Sequence, residues 1–493
     1  MRTRTSGGLR CLPVAIAGVA LGLAGGAFHE AQAGSRADRD CAFVLTTNYW
    51  DAAEYVTIDI DPPRTVWVSP DPPGTDAVAY YAYPEDMVFI VNRYLADNVQ
   101  VVDPNDGFDT IAQHSVGNGS NPHDIRLTAH DRAYISRFEW KTLLVMNPFT
   151  GAFLDSIDLS PLADADGIPE MDRMALVDDR LFVTLNNIDH ATWLPAGPGK
   201  VAVIDVAADT LVDVDPATPG VQPITLHYPN PYTELRYDLR RQQLIVGCLG
   251  CWSVLDGGVE AIDPFTFETE VVISEVDLGG DVSDALLSPT GEGYAVVMDP
   301  DPWPDNFARL VEFDPLSQAV TDTLFKQTGG SGSSLAGMEL NTQGEIYLCD
   351  RNATQPGVRI YDTGADTLVE FIDVGLPPFD VAFVQPPPMQ PSAPGEGRAA
   401  SRGLAVGRNY PNPFNPETTI PFALGREGAV RVDVVDVEGR RVVTLLDAWL
   451  PAGEHRVRWS GVDRAGTAVR AGVFFCRVRS GPEAVVQKLV VVR

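Results

Sequence analysis

The chain has 493 residues, a hydrophobic content of 45% and a formal net charge of −31, which is too long for one small domain and long enough to bury a large core. The charge is uneven: from Arg402 onward there are 14 basic and 9 acidic side chains, whereas residues 34–401 carry 19 and 57. A segment that acidic repels phosphate backbones and anionic lipid, so nucleic acid is excluded as a partner.

Residues 1–33 read as a signal peptide. Arg2, Arg4 and Arg10 precede an apolar run broken by glycines, and Ala31-Gln32-Ala33 has the small-x-small form of a cleavage site. The mature chain is expected to begin near Gly34, and no later segment is apolar enough to span a bilayer. Five cysteines remain after cleavage, too few and too scattered for a disulfide framework. Cys248 and Cys251 have CxxC spacing without a second pair or a nearby histidine, so in an exported protein a local disulfide is expected.

From residue 55 to residue 374 one phrase recurs: a β-branched run, an acidic or Asn residue, a turn, and a second short strand. It starts at Tyr55, Val99, Leu143, Val201, Val259, Leu310 and Val358, a spacing that matches the four-stranded blade of a propeller. Each copy follows a shorter apolar strand, and most have a further one before that. Seven blades of four strands result. The chain enters at the second strand of a blade, and a spare strand at 380–385 can complete that blade and close the ring.

Aligning the first strands on the turn after them puts Asp76, Asp124, Asp172, Glu234, Asp284 and Asp380 at one equivalent position, with Gly337 in the remaining blade. The loops between second and third strands open on the same face and carry Trp50, Trp140, Trp193, Trp252 and Trp303, five of the eight tryptophans. Loops longer than a hairpin requires often bind something. Such a carboxylate ring with an aromatic rim suits sugars, cationic groups or a hard cation such as Ca²⁺. Equally, the carboxylates can serve only to accept neighbouring amides. Within Asn121-Pro122-His123-Asp124, His123 and Asp124 form the one acid/base candidate. Asp164, Asp166 and Glu170 lack the spacing of a calcium loop and read as a polar turn; His190 and His227 read as loop residues. GxSxG, Walker and HExxH motifs are absent.

Residues 386–407 form a linker rich in Pro, Gly, Ala and Ser. Alternating segments over 408–493 predict six or seven strands, enough for a small β-sandwich. The prolines of Asn409-Tyr-Pro-Asn-Pro-Phe-Asn-Pro416 forbid helix and confine the entrance to an extended or turn path.

The wording of the repeats over about residues 41–385 resembles YVTN-type seven-bladed β-propellers, whose relatives include lactonase-like enzymes and surface proteins. The likeness carries no catalytic motif across. The C-terminal segment resembles the type IX secretion C-terminal sorting domain, itself similar to the Ig-like domain of flagellar hook-capping proteins. The resemblance rests on Asn409, Pro411, Asn412, Pro413, Phe414, Asn415 and Pro416, then Thr419-Ile-Pro-Phe422, Ala452-Gly453, Trp459, Ala471-Gly-Val-Phe-Phe475 and the terminal Lys488-Leu-Val-Val-Val-Arg493. Cys476 and Ser460 depart from the usual residues of that family.

The expected fold is therefore all-β: a signal peptide at 1–33, a seven-bladed propeller at 34–385, the linker, and an Ig-like sorting sandwich at 408–493. The resemblance implies secretion machinery as a partner and delivery to the medium or the outer cell surface, with association there needing no transmembrane helix. Binding of a glycan, cation or protein on the loop-rich face is the expected activity. The alternatives are a lactone- or glycan-acting hydrolase or lyase, and a purely structural surface protein.

Overall fold

The computed structural model describes residues 40–492 apart from 70, 83–84, 239, 300–307, 328–333, 385–403, 407–413, 415–417, 425–427, 436–439, 451–452, 463, 465–467 and 481–482. The expected signal peptide and most of the linker lie outside the described residues. Two compact units emerge, one ending at Gln385 and one beginning at Pro386.

The first unit is a propeller of seven antiparallel blades, six of four strands and the third with a fifth, two-residue strand, Ile224–Thr225, paired with Lys200–Asp205. Numbered from the first complete blade in the chain, their innermost strands are Ala77–Ala82, Pro122–Ala129, Met171–Val177, Arg236–Asp238, Asp281–Leu287, Leu335–Leu340 and Pro378–Val384. Blade seven is closed by the two ends of the repeat region: Pro378–Val384 pairs with Cys41–Thr47, from Cys41↔Val384 to Thr46↔Pro378. The spare strand thus fills the place the sequence predicts for it.

The recurring acidic or Asn residue has a physical reason. In six blades it ends the third strand, and its side chain accepts amides of the turn that follows: Asp103 from Asn105, Asn147 from Phe149 and Thr150, Asp205 from Ala207, Asp263 from Phe265, Asp314 from Leu316, and Asp362 from Gly364. This side-chain turn replaces an amide partner the chain would otherwise lack. A left-handed residue completes each of these turns, at Gly107, Gly151, Asp209, Phe267, Gln318 and Asp366, which is how a short loop returns a twisted strand onto its partner.

The core lies between blades. Phe89, Val101, Ile125 and Ile135 pack blade one on blade two, and Val259, Val282, Val297 and Phe313 pack blade four on blade five. Each such side chain contributes roughly 1.5–3 kcal/mol by leaving water. Arg64 fastens blade seven to blade six through Glu345 at 2.5 Å and Glu370 at 2.8 Å. One expectation is corrected here. Cys248 is a free thiol at the end of a buried strand, directed at Glu260 with Sγ 3.8 Å from Oε1, so it forms no disulfide with Cys251.

The second unit is a two-sheet sandwich. Leu404–Val406, Thr418–Leu424 and Gly453–Trp459 form one sheet; Arg441–Leu450, Gly428–Val435, Gly472–Ser480 and Glu483–Val491 form the other. Phe414, Ile420, Phe422, Val432, Trp459, Cys476 and Leu489 fill its core. Of the Pro-rich entrance, Phe414 is buried against Trp459, with ring centroids 5.5 Å apart, and its carbonyl accepts Val492 N–H at 2.9 Å. Asn409, Pro411, Asn412, Pro413, Asn415 and Pro416 lie outside the described residues. No helix among the described residues is long and apolar enough to cross a membrane.

Candidate functional site

Two sets of loops open on one face of the propeller: those joining second to third strands and those crossing between blades. Backbone bonds tie them in pairs, such as Arg93 N–H to Asp76, Phe138 to Asn121, Asn186 to Glu170 and Leu249 to Asn230. The opposite face carries only short turns at most blades. Functional side chains that sit on these loops are therefore held by a rigid ring beneath them.

The six carboxylates named from the sequence do converge at the start of the inner strands, but four arginines accompany them. Arg126 donates to Asp124 and lies 3.6 Å from Glu234. Arg173 stands 2.5 Å from Glu234 and 3.4 Å from Asp172, and Arg236 is 2.6 Å from Asp284 and 3.1 Å from Glu339. Arg93 holds Asp76 at 2.5 Å. Arg126 and Glu234 belong to blades two and four, so their approach spans the channel.

Three of the carboxylates also accept an amide from the next blade: Asp380 from Ala79 at 2.7 Å, Asp124 from Met174 at 2.7 Å, and Asp284 from Met338 at 2.8 Å. Register shifts at Asp124, Met174, Asp284 and Met338 mark the bulges that turn these groups toward one another. The ring therefore staples blade to blade and presents carboxylates engaged by arginines and backbone amides rather than bare ones. Oxygens engaged in this way reach a hard cation only by giving up those bonds.

Electrostatics follow the same geometry. Burial pushes Asp124 up to about 7 against the opposing pull of Arg126, and burial with Glu234 beside it raises Asp380. Burial acts on Asp172 too, but His123, Arg173 and Asn186 outweigh it and hold that carboxyl below the usual range.

His123 pairs with Asp172, not with its sequence neighbour Asp124. Its Nδ1 lies 2.8 Å from Asp172 Oδ1, and His123 is the extra residue at the register shift between Pro122 and Asp124. Its ring stacks on Phe138 at 4.7 Å. Burial lowers the imidazole pKa despite the Asp172 charge.

The aromatic rim stands out of the protein surface. Trp50 is 65% exposed, Trp193 56%, Trp252 45% and Trp140 37%, and Tyr232, which the sequence reading did not single out, is 42% exposed. Trp140 lies under the Arg137 guanidinium at 4.3 Å, and Tyr232 meets Trp252 edge-on at 6.1 Å. Trp303 lies outside the described residues.

No protein-family model matches the chain, and no curated protein matches it. Among solved structures it is similar to PorZ, a surface component of the type-IX secretion system of Porphyromonas gingivalis, at 13% identity over 90% of this chain and a TM-score of 0.44. The chain spans 64% of the length of PorZ. It is also similar to a 6-phosphogluconolactonase-like protein of Bacteroides fragilis, at 14% identity, 71% of this chain, 100% of that one and a TM-score of 0.47. A streptogramin B lyase matches at 9% identity over 64% of this chain and 94% of that one, with a TM-score of 0.41. This chain is a β-propeller protein. The likenesses lie in the fold, which hosts unrelated activities.

Proposed function

We propose that this propeller is exported and binds a glycan or a protein surface on its loop-bearing face at the cell exterior. The observation that carries this reading is the set of exposed tryptophans on that face, Trp50, Trp193, Trp252 and Trp140. Aromatic side chains brought together on one exposed face are a recurring mark of interaction sites. Delivery is assigned to residues 408–493 on their resemblance to a type IX sorting domain, with secretion machinery as the partner and the outer surface or medium as the destination.

The test of binding is a thermal-stability panel of oligosaccharides and Ca²⁺ on the full chain. A ligand at one hundred times its Kd adds about 2.7 kcal/mol of stability. Trp193→Ala combined with Trp252→Ala is expected to weaken a ligand found this way at least tenfold, with Ca²⁺ alone giving no shift. Equal stabilisation of the variant would remove the tryptophans from the site. The export reading has its own test. Deleting residues 386–493 should strand the propeller in the periplasm, and unchanged surface display would contradict the address.

A second reading has a specific observation behind it. Asp172 can hold the His123 Nδ1 proton, leaving Nε2 as a base for lactone or glycan hydrolysis or elimination. Because the pKa of His123 is lowered from 6.5, such a base is already neutral at pH 7. Activity should fall with acid along a limb centred below pH 6.5, and His123→Ala should cost about 10²–10⁴-fold in rate. Turnover unchanged in His123→Ala, or no turnover of any lactone or glycan, would dismiss this reading.

A further inference from the structure

We infer that Asp166, Glu170 and His190 form a binding site for one divalent transition-metal cation, of the zinc or manganese class, on the loop-bearing face of blade three. One donor atom from each lies within 4.8 Å of the other two. Asp166 and Glu170 come from the loop entering the blade, and His190 from the loop between its second and third strands. Backbone bonds hold the two loops together: Asn186 N–H to the Glu170 carbonyl at 3.1 Å, and His190 N–H to Asp166 Oδ2 at 3.2 Å.

The decisive feature is the Glu170 carboxylate, which is 0% exposed. Its Oε2 accepts Ile188 N–H at 3.0 Å, but its Oε1 has no hydrogen-bond partner. That oxygen lies 3.5 Å from His190 Nε2, which is likewise buried without a hydrogen bond. Two unsatisfied buried polar atoms facing each other are costly, and a shared cation satisfies both. The nearest ammonium does not fill the role, since Lys200 Nζ is committed to the Leu162 carbonyl at 2.8 Å and to Asn187 Oδ1 at 3.3 Å.

The surroundings suit a metal-bound imidazole. Nδ1 of His190 faces Glu139 Oε2 at 3.9 Å, too long for a hydrogen bond but close enough for the carboxylate charge to favour a cation at the ring. The ring is held between Trp193 at 5.1 Å and Phe138 at 6.3 Å. Donors around a tetrahedral ion sit about 3.3 Å apart, a contraction that exposed Asp166 can supply by rotating. One nitrogen and two carboxylates favour zinc or manganese over Ca²⁺, which takes six to eight oxygens. Glu139 also lines a neighbouring cleft of about 350 Å³ with Trp140, Lys141, Thr142, Gly167 and Ile168, so the ion would border a space large enough for a small ligand.

Equilibrium dialysis of the full chain with Zn²⁺, Mn²⁺ and Ca²⁺ is the test. One equivalent of Zn²⁺ or Mn²⁺ should bind, with affinity falling at least tenfold in Glu170→Gln and in His190→Gln, and with Ca²⁺ failing to compete. Binding unchanged in both variants, no binding at all, or Ca²⁺ binding as tightly as Zn²⁺ would overturn the assignment. A readout on unaltered ligands guards against misfolded variants. Co²⁺ should quench tryptophan emission, and the quenching should be lost in Trp193→Phe and kept in Trp252→Phe; the reverse pattern would place the ion elsewhere.

Discussion

A chain ending after Pro377 is expected to lose cooperative unfolding, whereas one ending after Gln385 should keep it. The difference is the seven-residue strand Pro378–Val384 that closes blade seven. Without it, Cys41–Thr47 keeps only Ala53–Asp59 as a neighbour and becomes an open inner edge, and the buried side chains Val381 and Val384 are gone. Asp380 no longer accepts the Ala79 amide of blade one. Two buried valines and a ladder of backbone bonds amount to about 5 kcal/mol or more, comparable with the whole stability of many domains. Urea unfolding followed by tryptophan emission separates the cases. A sharp transition in the shorter chain would mean that six blades hold themselves together and that closure contributes little.

Arg236→Ala should cost about 3–5 kcal/mol, the loss expected when one partner of a buried ion pair is removed and the other stays behind. Arg236 joins blades four, five and six, through Asp284 at 2.6 Å, the Met338 carbonyl at 2.8 Å and Glu339 at 3.1 Å. Its removal leaves Asp284 and Glu339 facing each other, and Asp284 must still accept two amides, of Ala285 and Met338. Adding Glu339→Gln to Arg236→Ala should recover part of the loss, because one of the stranded charges is then absent. The same unfolding measurement reads both. A cost below about 1 kcal/mol for the single variant would show that water solvates the channel mouth and that the pairs there are no stronger than surface ones.

The fold was largely legible because its repeat is written in chemistry that cannot vary freely. The acidic or Asn residue after each third strand is needed to satisfy turn amides, so it recurs even where the surrounding residues drift, as in Asp205 and Asp314. The closing strand was readable from strand count alone. The candidate site was legible in part. Asp76, Asp124, Asp172, Glu234, Asp284 and Asp380 come to one end of the channel, yet a carboxylate pattern does not say whether the charges are free.

The missing signal was present. Arg126 and Arg236 each stand two residues after a ring carboxylate, hence on the same side of the strand, and in blade six Glu339 takes that place while Gly337 takes the carboxylate's. Arg173 follows Asp172 directly, an adjacency visible in the sequence that by itself does not show Arg173 reaching Glu234 of the next blade. His123 misled for the opposite reason: adjacency in sequence favoured Asp124, whereas the bulge between Pro122 and Asp124 sets His123 toward Asp172 of the next blade. The Glu170–His190 approach could not be seen at all, because the two residues are 20 positions apart and hydrogen bonds such as those from Asn186 and Ile188 to Glu170 bring their loops together.

The claim that the loop-bearing face is the binding face is tested most directly by hydrogen exchange on the full chain, with and without the compound from the ligand panel that stabilises it most. Slowed exchange is predicted in residues 48–52, 138–141, 186–199 and 249–257, with the turns at 148–151 and 263–268 on the other face unchanged. Protection confined to those opposite turns or to residues 404–492, or a panel in which nothing stabilises the chain, would contradict it.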